Sequence, residues 1–519
     1  MNENEFSSKS KKEPFVNPYQ DPAQNFPKPP VHFTAKDWIF LAVSVLLAWL
    51  CFSAYGLKRF AENSSESFCA SGLGAALFVT ALLAAVYFRL GRSAHINRYS
   101  IFYTACTFLL GWSNFFSGDL SMYFLNAFVT LGVGVLAVFS LSGQLYRPEA
   151  GFARCAEAVG LLFTAIFRYF AAPFRALGGL MKSDRKRWGG VAIGLLCAIP
   201  LLALVLALLS SADAVFGGLF SAFGDWLERT DLLHWLFRLL RLLLTALLFC
   251  SGLYFLTQAR KKPESFTPPT ESEDKPRNAA PFITVMVLLC VVYLVFAVIQ
   301  IVFLFGGAET AAMQGGYAQY ARSGFFQLVA VAAINLGAVL LAAQWSGKCA
   351  PKSAQVLRGF SMTVLALTLI ILASASYRMA LYISVYALSL LRLLTLWAML
   401  MILVGLFAAA WKLLKPDFRF FRVLLLVSLC TWTLLSLAAP RRVIAEYNVS
   451  AYISGSVAQV DLDYLTDGIS RKEVLHAFYR LRESGKYPDA EVLDTRIRHA
   501  ERDRAAHWTA LHAYDLQNK

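Results

Sequence analysis

In the apolar stretch ASYRMALYISVYALSLLRLLTLWAML, Ala375 to Leu400, Arg378, Tyr382 and Tyr386 fall at successive i+4 steps, and Ser389 and Arg392 continue at i+3. A helical run would align them as one stripe. Guanidinium groups bind carboxylate and phosphate bidentately, so arginines gathered beside phenols suit an anionic ligand such as a lipid phosphate. An arginine below the headgroups costs a few kcal/mol unless it is paired. Asp213, in SSADAVFGGLF, is the expected counter-charge. YAQYARSGFFQLVAVAAIN adds Tyr317, Tyr320, Arg322, Gln327 and the mid-span Asn335, while Arg238 and Arg241 open another apolar run. The candidate ligand site is therefore Asp213, Arg322, Gln327, Arg378, Tyr382, Tyr386 and Arg392. The plainer reading of the same residues is an interfacial belt of tyrosines with snorkelling arginines.

Other chemistry has weaker support. His476, His499, His507 and His512 lie among acids near the C-terminus, and Asp503 with His507 has the i, i+4 spacing that metal ligands use. Without HExxH or a similar constellation, a solvated helix face is the better reading, and no metal or cofactor is expected. The acids of DLDY, Asp461 to Tyr464, lack a pocket to separate their pKa values. GxxxxGK[ST] and GxSxG are missing too, so no catalytic residue is assigned. Glycosyltransferases that use polyprenyl-phosphate sugars usually carry Asp in the first outer loop, where this chain has Glu62 and Glu66.

The elements that position these groups are set by hydropathy. Of the 519 residues, 57% are hydrophobic and 16% charged, and mean hydropathy is +0.53. Soluble domains carry about 25% charged residues. Apolar runs of membrane-spanning length recur at 38–55, 72–88, 101–116, 120–141, 188–209, 232–256, 281–305, 325–345, 356–376, 390–413 and 420–438. They lack the period-2 alternation of a barrel. The expectation is an all-α polytopic integral membrane protein of about eleven transmembrane helices. Cys51, Cys106, Cys197, Cys250, Cys290 and Cys430 lie inside these runs with no CxxC, as small buried hydrophobes.

The net charge of +15 belongs mostly to loops. Arg89, Arg92 and Arg98, the Arg147–Arg187 connection, Arg260 to Lys262, Lys348 to Arg358 and Lys412 to Arg422 occupy alternate loops. That pattern places the N-terminus inside and a small helical C-terminal tail outside, and no nucleic-acid partner is expected. Residues 1–36 read as a disordered cytoplasmic tail rather than a signal peptide. Residues 37–258 form a first membrane block of about six helices, with an interfacial amphipathic helix at 151–180. Residues 259–280 are a cytoplasmic linker, 281–440 a second block of about five helices, and 441–519 the external tail. In the tail, Ser470 and Glu473 have capping-box spacing and a second helix starts near Asp489, giving at most a helical hairpin.

The segments SADAVFG, YAQYARSGFFQL, YRMALYISVYALSLLRLLTLW and VIAEYNVSAYISGSVAQVDLDYL, from about Asp213 to Leu465, resemble the bacterial multi-pass membrane proteins of domain of unknown function 4173. Where such proteins commonly have Gly-Leu-Thr after the tyrosine, this chain has Ala387-Leu388-Ser389. The resemblance implies a bacterial cytoplasmic-membrane protein and carries no catalytic residues. The leading expectation is a non-enzymatic role, binding or moving an anionic lipid or envelope precursor at the outer leaflet. The alternatives are a lipid-linked transferase with Asp213 as base or metal ligand, and a signalling or scaffold protein that takes a membrane-protein partner through 441–519.

Overall fold

Inside a bilayer a peptide group has no partner but another peptide group, so long apolar runs become helices. The computed structural model describes residues 33–55, 57–59, 66–68, 72–143, 152–174, 205, 232–258, 278–305, 325–466 and 471–502. Among the described residues, nine helices are long and apolar enough to cross a membrane, and the chain is an all-α polytopic membrane protein. Of the eleven expected spans, 188–209 lies outside the described residues apart from residue 205, and 101–116, in the helix Arg98–Phe116, is not among the nine.

The first block contains α1 (Ala35–Tyr55), α2 (Gly72–Leu90), α3 (Arg98–Phe116), α4 (Leu120–Leu141), α5 (Phe152–Arg168) and α6 (Leu232–Gln258). Between α1 and α2, Leu57–Arg59 (β1) and Glu66–Phe68 (β2) form a short antiparallel ladder with Leu57 opposite Phe68. Sequence chemistry marks the helix starts. Asn97 Oδ1 accepts the N–H groups of Tyr99 and Ser100 while Ser100 Oγ accepts from Asn97 N–H, a closed capping box that begins α3. Asp119 Oδ1 accepts from Met122 N–H at 2.8 Å and begins α4. Close packing of α3 on α2 needs Gly111, where a Cβ would stand 2.7 Å from Val79 Cβ. At 17 residues, α5 is short for a span. It lies against α4 and α6, with Val159, Phe163 and Phe167 exposed.

The second block contains α7 (Ala280–Phe305), α8 (Phe325–Ser346), α9 (Pro351–Tyr386), α10 (Leu390–Leu414) and α11 (Phe420–Leu437). With 36 residues, α9 is about 54 Å long, against a hydrocarbon core of about 30 Å. Its last turns, with Arg378, Tyr382 and Tyr386, therefore reach the membrane boundary. The last span, α11, packs on α3 as well as on α10 and joins the blocks through Asn126. The Nδ2 of Asn126 donates to Ser113 Oγ (3.2 Å) and Asn114 Oδ1 (3.3 Å). Its Oδ1 accepts from Trp432 Nε1 (3.1 Å) and Ser436 Oγ (2.9 Å). Every member is buried, and such bonds contribute about 0.6–2 kcal/mol each.

The tail is larger than the expected hairpin. It comprises α12 (Pro440–Ile453), α13 (Leu462–Thr466), a 3-10 turn at Arg471–Val474, α14 (Leu475–Glu483) and α15 (Ala490–Arg502). A unit this small buries too little apolar surface alone. Accordingly Ile444, Val449, Leu465, Phe478, Leu481, Leu493 and Ile497 share one core with Ile383 and Leu388 of the membrane domain.

Helix ends meet in two layers. The Tyr123 hydroxyl at the start of α4 donates to the Ala54 carbonyl at the end of α1, on the side that carries the tail. At the opposite side Arg89 joins Asp37 and the Leu253 carbonyl, and the Arg422 guanidinium lies 5.1 Å from the Tyr99 ring. We call these layers the tail face and the basic face. Arg92, Arg98, Lys348, Lys352, Lys412, Lys415 and Arg419 all lie at helix ends on the basic face.

Candidate functional site

A strained turn organises the tail face. α9 ends at Tyr386, and Ala387 takes φ 62° and ψ −176°, a region that glycine enters freely and residues with a Cβ do not. The alanine that departs from Gly-Leu-Thr is thus the residue under strain. Asn448 of α12 brackets the next residue: its Oδ1 accepts from Leu388 N–H at 2.7 Å, and its Nδ2 donates to the Leu388 carbonyl at 2.9 Å. The Tyr464 hydroxyl accepts from Leu390 N–H at 2.8 Å. Arg392 Nη1 donates to the carbonyls of Tyr386 (2.6 Å) and Ala387, which the end of α9 leaves open.

This geometry corrects the expectation of one continuous helical stripe. Ala387 breaks the helix, so Ser389 and Arg392 belong to α10. Arg392 still returns to the tyrosines, 4.3 Å over the Tyr382 ring and 5.9 Å over that of Tyr386, whose centroids are 5.2 Å apart. Arg378 is half-buried one turn deeper, and Gln327 is exposed in the first turn of α8. Asp213, Tyr317, Tyr320 and Arg322 lie outside the described residues. On α6, Arg238 stacks on Trp235 and Arg241 on Phe52. Asn335 donates to Thr368 Oγ1 at 2.9 Å within the second block.

Beside the turn opens a cavity of about 370 Å³. Asp119 and Ser121 line it from the start of α4, and Ser389, Leu390, Leu391 and Leu394 from the start of α10. Arg441 and Ile444 contribute from α12, Tyr464 and Leu465 from α13. Arg441 is 5% exposed. Its Nε donates to the Leu465 carbonyl (3.1 Å) and Nη2 to that of Tyr464 (3.4 Å), while Nη1 stands 3.9 Å from Asp119 Oδ2. Polar groups and aliphatic side chains therefore both line the cavity.

Next to Asp119 lies a residue that sequence reasoning assigned elsewhere. Glu473, expected to cap a helix with Ser470, instead accepts from Gly118 N–H through Oε2 at 2.9 Å. Ser470 itself lies outside the described residues. Glu473 is 2% exposed, and its Oε1 has no hydrogen-bond partner among the described residues. Burial pushes its carboxyl up to about 7, with Asp119 adding to the rise and the Gly118 N–H and Arg441 opposing it. The other acids have ordinary employment. Asp461 caps α13 through Tyr464 N–H, and Asp463 pairs with Arg496 at the surface. His476 meets Glu446 at 2.5 Å, His499 lies on α15, and Asp503, His507 and His512 lie outside the described residues. Among the described residues no group of three or more His, Cys, Asp or Glu could hold a metal ion.

The sequence reading missed Asp119, Arg441, Asn448, Tyr464 and Glu473 as partners. One signal was present: Arg441 and Arg442 follow the last span directly, on the side whose connections are otherwise poor in positive charge.

No curated protein and no solved structure matches the chain. Residues 104–477 match a domain of unknown function, DUF4153. This range covers the whole stretch on which the resemblance to domain of unknown function 4173 was drawn, under a different family number. With most of its length inside that match, including the cavity and Glu473, the chain belongs to the DUF4153 family.

Proposed function

We propose that the tail-face cavity binds the head of an anionic amphiphile, a lipid or a lipid-linked envelope precursor, at the outer leaflet of a bacterial cytoplasmic membrane. The observation that carries this reading is the cavity of mixed polar and aliphatic lining beside helices of membrane-spanning length. Arg441, Ser121, Ser389 and Tyr464 offer charge and hydroxyls to a head. Leu390, Leu391 and Leu394 continue down α10, where Leu391 is 67% exposed and gives acyl chains a route to the bilayer. The N-terminus of α10 opens at the same place and favours negative charge.

Arg378, Tyr382, Tyr386 and Arg392 form the rim of this site, with Gln327, Arg322 and Asp213 as further contacts or counter-charge. The basic loops on the opposite face support an inside N-terminus and an outside tail. In the alternative reading, a membrane-protein partner would dock on the tail where Val443, Tyr447, Tyr479 and Val492 are exposed, while Ile444, Val449, Phe478 and Leu481 are already buried in the shared core. A transferase would require Asp213 at the cavity.

Native mass spectrometry with lipid analysis of the purified protein tests the proposal. Wild type should retain a selected anionic lipid, Ser121→Trp should lose it by filling the mouth, and Arg378→Ala should bind it more weakly. Equal, unselective lipid retention by all three would overturn the reading and return the arginines to an interfacial belt.

A further inference from the structure

We propose that Glu473 is a proton-binding site that latches the tail to the first membrane block: protonated, it keeps the 3-10 turn seated on the Ser117–Asp119 connection, and ionised, it loosens that seam. The proposal is independent of what the cavity binds.

The geometry is that of a carboxyl placed where charge is costly. Glu473 comes from the turn preceding α14, and its hydrogen bond from Gly118 N–H crosses to the linker between α3 and α4. Oε2 can accept that N–H in either protonation state. Oε1, buried and without a hydrogen-bond partner among the described residues, is the atom that makes ionisation unfavourable, because a carboxylate needs its lone pairs satisfied once it leaves water. The charged and polar groups that face it are few. Asp119 approaches from the α3–α4 connection and repels a second negative charge; Arg441 and the Arg442 backbone N–H approach from α12 and attract one. Arg441, however, already donates to the Leu465 and Tyr464 carbonyls and leans toward Asp119, so Glu473 does not have the guanidinium to itself.

The sign follows from linkage. The seated carboxyl holds its proton up to about 7, whereas a solvated glutamate loses it near 4.3. The contribution to seating is thus complete below the solvated value and disappears as pH rises through the seated one. Between pH 6 and pH 8 the seating equilibrium should weaken about tenfold. The remaining clamps, Asn448 on Leu388 and Tyr464 on Leu390, join the tail to the second block. The latch therefore governs one seam and not the whole tail.

A second ion pair lies nearby and must be removed from the test. His476 meets Glu446, which Arg480 also holds at 2.8 Å. Against partial burial, these two partners keep Glu446 below the usual carboxylate range. The experiment is hydrogen exchange on the full-length chain carrying His476→Gln, with protection factors at Gly118 and across α14 corrected for intrinsic exchange at each pH. Protection should fall about tenfold from pH 6 to pH 8, and Glu473→Gln should hold the pH 6 level at both. Asp119→Asn keeps the helix cap but removes the facing charge, so it should move the transition to lower pH, a check that stands even if Glu473→Gln fails to fold. A flat profile with Glu473 present, or a slope that survives Glu473→Gln, would overturn the proposal, as would an unmoved transition in Asp119→Asn.

Discussion

Among the described residues, each face of the membrane domain holds an acid–arginine pair, and the two are built differently. On the basic face, Asp37 Oδ1 meets Arg89 Nη2 at 2.5 Å with side chains 8% and 6% exposed. Asp37 Oδ2 accepts from both the N–H and the hydroxyl of Thr34 at 2.7 Å, Arg89 Nε donates to the Leu253 carbonyl at 3.1 Å, and Phe40 lies beneath the guanidinium. On the tail face, Asp119 and Arg441 stand 3.9 Å apart beside a cavity and a half-satisfied Glu473. A buried pair whose every oxygen has a partner is a strut joining α1, α2 and α6. A loose pair beside empty space has capacity for another partner, and this is why the ligand site is assigned to the tail face.

The largest effect should come from breaking the strut. Arg89→Ala leaves Asp37 buried without its cation and should cost about 3–5 kcal/mol, read as a large loss of monodisperse protein on heating. Asp119→Asn on the tail face keeps the cap of α4 and loses only a long contact, so its cost should stay below about 1 kcal/mol. Equal losses in the two variants would erase the contrast.

Within the tail face, the turn at Ala387 separates clamping from strain. Asn448→Ala strips both bonds from Leu388 and should cost about 1–3 kcal/mol for each buried group left unsatisfied, with faster proteolysis between α9 and α10. A neutral outcome would mean that the amide bracket does not hold the turn. Ala387→Gly should act in the opposite direction and raise the unfolding temperature by an amount equivalent to about 1 kcal/mol, since glycine adopts φ 62° without strain. Destabilisation there would show that the methyl group contributes more through packing than the backbone loses.

The sequence made the membrane spans readable because lipid burial writes itself as runs of apolar residues. It was less informative about ends. The apolar run at 356–376 ends short of Arg378, yet α9 continues to Tyr386 because a helix has no reason to stop where the hydrocarbon does. The i+4 spacing of Tyr382 and Tyr386 brings their rings together as expected, but the same rule fails at Arg392, because Ala387 hides a chain break that a glycine would have announced. The candidate cavity was not readable at all. Gly118 and Glu473 are 355 residues apart, and Asn126 and Ser436 are 310. No local periodicity encodes such pairings. Glu473 also sat in a capping-box pattern that gave it a plausible local task, and tertiary packing assigned it another.

Cryo-electron microscopy of the full-length chain in nanodiscs containing anionic lipid tests the central claim most directly. The account predicts non-protein density in the tail-face cavity, its head within hydrogen-bond reach of Arg441 and Ser389 and its chains descending along Leu391 and Leu394. A cavity that holds only ordered water, or that closes as Tyr464 folds onto Leu394, would contradict it.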